Sequence, residues 1–327
     1  MSKLVTIFGG SGFVGRYIAD RMAQAGWRVR IAVRRPEQAG FVRTYGVVGQ
    51  VEPVMCNIRN DDSVRSVTRA ADAVINCVGT FDRKGKNNFG AVQDEGATRI
   101  ARIAAEEGVQ HMVHLSAIGA DADGDSLYAR SKGRGEDGVL EHFPNAVILR
   151  PSVIFGPEDQ FFNRFANMTK FGPLLPVVGA DTLFQPVYVD DVAQAAAMGA
   201  LGTAAPGIYE LGGPDRCSFR DLMQLMLDTI RKRRGIVNIP FFAATGMAAG
   251  MELVQTLSLG LIKAQITRDQ VTSLKSDNVV QDGAQGFEAL EIVPDSMAAV
   301  LPEYLWRFRS SGQYAAIKES AGNLREG

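Results

Sequence analysis

Cysteine, histidine and tryptophan are scarce in this chain, with three, three and two residues among 327. Cys56, Cys77 and Cys217 are odd in number and far apart, which fits neither a disulfide framework nor a zinc site. Buried free thiols in a reducing compartment are the expectation. His111, His114 and His142 show no ligand spacing with cysteine or carboxylate, so no metal is expected. An excess of either charge is also lacking: 35 basic against 36 acidic side chains leave a net charge of −1. No global field draws nucleic acid, and no nucleic-acid partner is expected. A long unbroken apolar run is missing too. The most apolar stretch, Ile239–Ile262, is interrupted by Pro240, Gly246, Gly250, Glu252 and Gly260. A membrane span needs a more uniform run without mid-span charge, so a packed or partner-facing helix is expected there. No internal repeat or low-complexity segment is present. The chain opens Met1-Ser2-Lys3 and goes straight into a strand pattern with no leader, which points to the cytosolic side.

What is abundant is glycine in a telling place. Gly9-Gly10-Ser11-Gly12-Phe13-Val14-Gly15 follows the apolar run Leu4–Phe8 and precedes a helical pattern from Phe13 to Ala25. A G-x-G-x-x-G run between strand and helix is the fingerprint of a dinucleotide loop. Gly9 or Gly10 permits the tight turn, Gly12 lets backbone approach a pyrophosphate, and Gly15 lets the helix lie close on the strand. The phosphate then meets free N–H groups at the positive end of the helix dipole.

Strand patterns at Leu4–Phe8, Arg28–Val33, Val51–Cys56, Ala73–Val78, Met112–Ser116 and Ala146–Leu149 alternate with helical patterns, clearest at Val14–Ala25, Gln93–Glu107 and Tyr128–His142. Ala97, Ile100, Ala101, Ala104 and Ala105 share one helical face. Such alternation implies an α/β fold, a doubly wound parallel sheet of Rossmann type. That domain is expected over 1–150, with segments around 187–215 returning to it. Residues 151–327, punctuated by proline and glycine, read as a smaller, irregular C-terminal domain. Helical patterns reappear there at Val189–Leu201 and Phe219–Arg233, with Ser218 and Asp221 as a cap. The run Arg231-Lys232-Arg233-Arg234 is expected to end that last helix, favoured by its dipole, or to dock on anionic lipid or a partner.

The second strand ends in Arg34 and Arg35, 19 and 20 residues past Gly15, where NAD-binding folds place an acidic residue for the ribose hydroxyl. Guanidinium groups there favour the 2′-phosphate of NADP(H). Asn57 and Ile58 after the third strand are expected to flank the adenine, and Cys77, Val78 and Gly79 after the fourth to pass the nicotinamide ribose.

Ser116 ends the fifth strand, and twelve residues later comes Tyr128-Ala129-Arg130-Ser131-Lys132. Tyr128 and Lys132, at i and i+4, share a helix face. A phenol is a poor base at neutral pH, and a neighbouring ammonium is expected to lower its pKa. Ser116 is placed to donate to a substrate carbonyl where negative charge develops.

On these residues the chain resembles the short-chain dehydrogenase/reductase superfamily: Gly9, Gly12 and Gly15 match its nucleotide loop, and Ser116, Tyr128 and Lys132 its catalytic set. Arg150–Pro157, Val189–Ala193 and Tyr209–Gly213 resemble its extended branch, in which Lys132 also binds the nicotinamide ribose. The resemblance adds Pro151 and Val153 to the cofactor contacts. One position departs from it. Many extended members carry asparagine three residues before the glycine matching Gly96, and Gln93 stands there here. A glutamine can hold a water, yet the relay pattern is broken. Because the same residues bind ribose and do chemistry, a live active site and a retained nucleotide clamp both stand.

A narrower resemblance is to an atypical subgroup, the NADPH-binding accessory subunits of respiratory complex I. It rests on Gly156–Ala166, on Thr267–Val271 and on Asp277–Val280. The resemblance implies NADPH as a structural cofactor, partner subunits near the quinone site and the membrane surface, and a peripheral place on the cytoplasmic side of the inner membrane in a bacterial version. The basic cluster and apolar segment across 231–262 are compatible with a peripheral membrane contact. The alternative is an active NADP-dependent reductase or epimerase in which Tyr128 passes a proton to a substrate oxygen.

Overall fold

The computed structural model describes residues 2–83, 85–257, 267–310 and 312. In chain order the first half runs β1 (Leu4–Phe8), α1 (Phe13–Gln24), β2 (Arg28–Val33), β3 (Val51–Met55), α2 (Asp61–Thr68), β4 (Ala73–Asn76), α3 (Glu95–Glu106), β5 (His111–Leu115), α4 (Leu127–His142) and β6 (Val147–Pro151). The second half runs β7 (Ile154–Phe155), α5 (Phe162–Met168), β8 (Leu174–Val178), β9 (Leu183–Phe184), β10 (Val187–Tyr188), α6 (Val189–Leu201), β11 (Gly207–Leu211), β12 (Cys217–Ser218), α7 (Phe219–Thr229), β13 (Gly235–Ile239), α8 (Phe241–Leu257), α9 (Arg268–Ser273) and α10 (Met297–Leu305).

The chain divides into two compact units. The first holds residues 1–152, 189–212 and 280–294. Its sheet has seven strands in the order β11-β6-β5-β4-β1-β2-β3, all parallel. This is the doubly wound Rossmann arrangement anticipated above. The order reverses between β1 and β4, which puts the ligand crevice of such a sheet beyond the carboxyl ends of those strands. Buried strands read as apolar runs because helices cover both faces. On α3 the covering stripe is Ala97, Ile100, Ala101, Ile103 and Ala104; Ala105, expected in it, faces solvent. A single π-helical turn over Gly90–Asp94 precedes α3, so Gln93 stands in that turn and not in the helix expected from Gln93 to Glu107. Inserted residues of this kind re-aim a side chain, here into the interior.

Two segments that carry the extended-branch resemblance act as staples of this unit. Asp190 forms a two-point ion pair with Arg21, at 2.7 and 2.8 Å, joining α6 to α1. Arg150 on β6 pairs with the buried Glu136 on α4 at 2.6 Å and lies 3.7 Å from Glu210 on β11. Glu210 in turn accepts the Gln281 N–H at 2.9 Å.

The second unit holds residues 153–188, 213–279 and 295–327. It contains three two-stranded pairings, β10 with β7, β12 with β9 and β13 with β8. Phe155, Phe161, Phe162, Phe165, Phe184 and Phe219 pack on one another, so Phe161, Phe162 and Phe165 form core and not a ligand cage, while Phe171 is exposed. Asp159 organises the turn into α5 by accepting the N–H groups of Gly156, Phe161 and Asn163 and the hydroxyl of Tyr304 at 2.7 Å. Thr267 and Gln270 cap α9 reciprocally, and Asn278 bonds to Val153, Leu183 and Gln185. The three segments that carry the narrower resemblance are thus structural braces.

Ser218 and Asp221 form the anticipated capping box of α7. The helix stops at Thr229, however: Arg231 turns left-handed at φ 56° and the Lys232 N–H bonds the Leu227 carbonyl. The cluster Arg231–Arg234 lies beyond this closure and leads into β13, where a C-terminal-turn role is lost. The apolar segment forms α8, seated through Ala244 and Ala248, and Phe242 is 82% exposed. The part of Ile239–Ile262 beyond Leu257 lies outside the described residues. No helix among the described residues is long and apolar enough to cross a membrane.

Candidate nucleotide site

β1 ends at Phe8 and the chain turns at once through Gly9, whose φ of 76° disfavours any residue with a side chain. A Cβ on Gly9 would meet the Cys77 backbone at 3.2 Å, and one on Gly12 the Gly9 carbonyl at 3.1 Å. Gly15 is tighter. Its Cβ would lie 2.5 Å from the Gly9 oxygen and 2.6 Å from the Gly10 Cα. The helix therefore closes on the glycine loop itself, and not on the strand as the spacing suggested. Gly12 caps α1 without a side-chain bond, and no acidic residue stands in the first turn. The leading N–H groups of a helix lack intrahelical acceptors, which leaves this cradle suited to a phosphate. Ser11, Phe13 and Val14 belong to it.

The neighbouring strand ends supply the rim. The Gly9 N–H bonds the Ala32 carbonyl at 3.1 Å, so β2 delivers Arg34 and Arg35 beside the loop. Both are exposed. Arg16, which the sequence reading passed over, reaches back to the Gly12 carbonyl at 3.3 Å and lies over the Phe41 ring at 5.0 Å. Its only signal was a basic residue directly after the last loop glycine. Asn57 takes a hydrogen bond from the Arg59 N–H, and Ile58 packs beneath Gly96. The Cys77 N–H bonds the Phe8 carbonyl at 2.9 Å, the Val78 N–H bonds Asn76, and Gly79 is exposed. Burial pushes the Cys77 thiol up to about 12, so it is no nucleophile at neutral pH. Pro151 ends β6 with its carbonyl bonded to Ile118. Val153 belongs to the second unit.

Ser116 follows β5, buried, with its Oγ lacking a protein partner. An orphaned buried hydroxyl calls for a ligand or water, and this one fits the polar edge of a bound nucleotide or its substrate. Tyr128 and Lys132 lie on α4, whose start is capped by Ser126. The Lys132 Nζ donates to the Leu115 carbonyl at 2.9 Å, and burial lowers its pKa to about 8. His114 accepts from Asn76 at 3.1 Å; burial, then Lys132, pulls its pKa down to about 3, so the ring is neutral.

The phenol departs from expectation. Desolvation raises the Tyr128 pKa to about 12, where a drop below 10 was anticipated. The ammonium that should activate it is spent on a backbone carbonyl. The Tyr128 ring is stacked on Phe81 at 5.7 Å and 13°, and Phe89 meets it edge-on at 6.0 Å. Gln93 is buried, donating to the Thr80 carbonyl at 3.0 Å with its Oε1 2.7 Å from the Ser131 hydroxyl. Both ends of its amide are therefore engaged by protein. Phe81, Phe89 and Thr80 gave no sequence signal, because their role depends on a loop whose path no periodicity encodes.

The sequence profile of the "NAD dependent epimerase/dehydratase family" matches residues 5–212. The chain belongs to this family. It is similar to "NADH dehydrogenase [ubiquinone] 1 alpha subcomplex subunit 9, mitochondrial" of Arabidopsis thaliana, 34% identical over 94% of this chain and 79% of that protein. It is also similar to "NADH-ubiquinone oxidoreductase 40 kDa subunit, mitochondrial" of Neurospora crassa, 30% identical over 94% of this chain and 80% of that protein. A "Ceramide reductase" of Caulobacter vibrioides is 30% identical over 58% of each chain. Among solved structures, "Crystal structure of gox2253" superposes with a TM-score of 0.70 at 21% identity, covering 95% of this chain and 99% of that one. That likeness shows the fold alone. The residues of the glycine cradle fit a nucleotide: a glycine-rich loop, a helix start without a side-chain cap and cations on the rim.

Proposed function

We propose that this chain is an NADP(H)-holding accessory subunit of a respiratory NADH:quinone oxidoreductase, with the nucleotide as a structural element. The observation that carries this is the 34% identity, across nearly the whole chain, to a protein named as a complex I subunit. The site supports it from another side: Tyr128 is covered by Phe81 and Phe89, and Lys132 is bonded to Leu115. In this role Gly9–Gly15 cradle the pyrophosphate, and Asn57, Ile58, Cys77, Val78 and Gly79 line the adenine and nicotinamide halves. Ser116, Tyr128, Lys132 and Pro151 complete the contacts within the first unit. Arg34 and Arg35, with no acidic residue at the strand end before Glu37, favour the 2′-phosphate and hence NADP(H) over NAD(H).

Its partners are other subunits of that complex near the quinone site, and its place is peripheral, on the cytoplasmic face of the inner membrane. The basic run Arg231–Arg234 and the exposed Phe242 of α8 favour a membrane contact within 231–262. The test is co-purification. The tagged chain, recovered from mildly solubilised membranes of its native host, is expected to migrate in fixed proportion with NADH:quinone oxidoreductase activity and to carry NADPH. A free protein without that activity would overturn the proposal.

The second reading is an active NADP-dependent reductase or epimerase working through Ser116, Tyr128 and Lys132. It is favoured by the complete set and by the unpartnered Ser116 hydroxyl. In that case bound NADPH supplies hydride, Ser116 orients the substrate oxygen and Tyr128 protonates it. Turnover that falls roughly a hundredfold or more in Tyr128→Phe is its signature.

A further inference from the structure

The backbone at Thr80, next to Phe81, is held by one buried side chain. Gln93 reaches from the π-helical turn to the Thr80 carbonyl at 3.0 Å. Its other amide atom is fixed by Ser131, the residue before Lys132. Thr80 then accepts the Asp82 N–H on its own hydroxyl at 3.1 Å, closing a turn around Phe81. Phe81 remains 73% exposed, so it is no core residue. Its ring contact is the Tyr128 face, in a nearly parallel stack. Phe89, just ahead of the π-helical turn that carries Gln93, meets the same ring edge-on.

A tyrosine acting as an acid must bring its hydroxyl within hydrogen-bond reach of a substrate oxygen. Here Phe81 and Phe89 both lean on the ring, and Gln93 supplies an amide long enough to span from the turn to Thr80. Asparagine at position 93, one methylene shorter, does not reach from the same backbone. We propose that Gln93 is a latch: through Thr80 it holds Phe81 on Tyr128, closing the phenol to a carbonyl substrate while leaving the glycine loop, Ser116 and Lys132 to the nucleotide. Gln93 and Phe81 are thus positioning residues that keep the site a holder. The inference rests on the reading of the nucleotide as structural and names the device that enforces it.

The test uses the full chain with NADPH bound, and reads Tyr128 by difference from Tyr128→Phe. Phe81→Ala alters an exposed side chain and leaves the core intact; Gln93→Asn shortens the latch. Each is expected to lower the midpoint of the Tyr128 phenol titration by about one pH unit or more, and to raise its nitration by tetranitromethane roughly tenfold. Phe81→Trp, which keeps the stack, is expected to behave as the unaltered protein. If Phe81→Ala and Gln93→Asn both titrate and react as the unaltered protein does, the latch is wrong, whereas NADPH retention and co-migration still judge the structural reading. Turnover of a carbonyl substrate by the unaltered chain, abolished in Tyr128→Phe, overturns the structural reading and the latch together.

Discussion

The buried ammonium of Lys132 donates to the carbonyl of Leu115, the residue directly before Ser116. That bond ties the second turn of α4 to the end of β5 and fixes where the Ser116 hydroxyl stands. It also buries a cation whose nearest compensating charge is Glu136, one turn on.

The cost of burying that cation is readable in pH. The folded chain releases the Lys132 proton near pH 8, and the unfolded chain only near 10.5. Between these values the unfolded state binds more protons, so the contribution of Lys132 rises with pH; below 8 the burial cost is present in full. Cys77 and Tyr128, both held up to about 12, act in the opposite sense, since the folded chain keeps protons that the unfolded one loses. The comparison that isolates Lys132 is with Lys132→Met. Urea unfolding from pH 7.5 to 10.5, roughly the window set by the two values, should show the unaltered chain gaining about 3 kcal/mol on the variant. Parallel curves would remove the buried-cation account.

Gly15→Ala tests the cradle. The added methyl meets the Gly9 oxygen at 2.5 Å and the Gly10 Cα at 2.6 Å, both backbone atoms that no rotamer change can move away. Overpacking of this kind costs about 1–3 kcal/mol, and the displaced loop no longer presents its N–H groups in one arc. Thermal unfolding with and without NADPH is the measurement. A lowered Tm without ligand, together with loss of most of the NADPH-induced rise, is expected; a full rise would place the phosphate elsewhere.

How much of this was legible beforehand follows from where the information sits. Leu4–Phe8 was readable to the residue because a strand buried on both faces reads as an apolar run, and Arg28–Val33 because its β-branched residues alternate with arginines before its buried end. The glycine loop was readable because its residues are dictated by backbone geometry alone. The start of α3 was not, because the π-helical turn at Gly90–Asp94 answers to close packing of α4 against the Gln93 carbonyl. The end of α7 was missed for a similar reason: the cations at Arg231–Arg234 continue a helical composition, while the backbone closes at Arg231 with φ 56°. The acidity of Tyr128 was read with the wrong sign. The i, i+4 spacing places Lys132 on the same face, but it says nothing of Leu115, which takes the ammonium, or of the burial that desolvates the phenol.

In the second unit the Asp159–Tyr304 bond makes a stability prediction independent of the nucleotide. Desolvation raises the Asp159 pKa against the pull of its four donors. Tyr304→Phe deletes the 2.7 Å bond and leaves a buried carboxylate short of one donor. The expected loss is about 1–3 kcal/mol in urea unfolding, with NADPH affinity unchanged. A variant as stable as the parent would mean that the three backbone donors suffice.

The rim cations decide which nucleotide is held. Arg34 leaves β2 beside Gly9 and is exposed. A 2′-phosphate is the one group that distinguishes NADPH from NADH, and a guanidinium binds it through planar, charge-assisted bonds. Such bonds contribute about 1.5–3 kcal/mol each, so Arg34→Ala should weaken NADPH roughly ten- to hundredfold and leave NADH nearly unchanged. Arg35→Ala, one residue further along, should do the same if the two cations share the phosphate, and less if Arg34 alone carries it. Titration of both nucleotides by quenching of intrinsic fluorescence separates the cases. Equal losses for NADPH and NADH in both Arg34→Ala and Arg35→Ala would show that these cations act on the pyrophosphate or on the fold of the loop, and the argument for NADP(H), which rests on the two of them, would then fail.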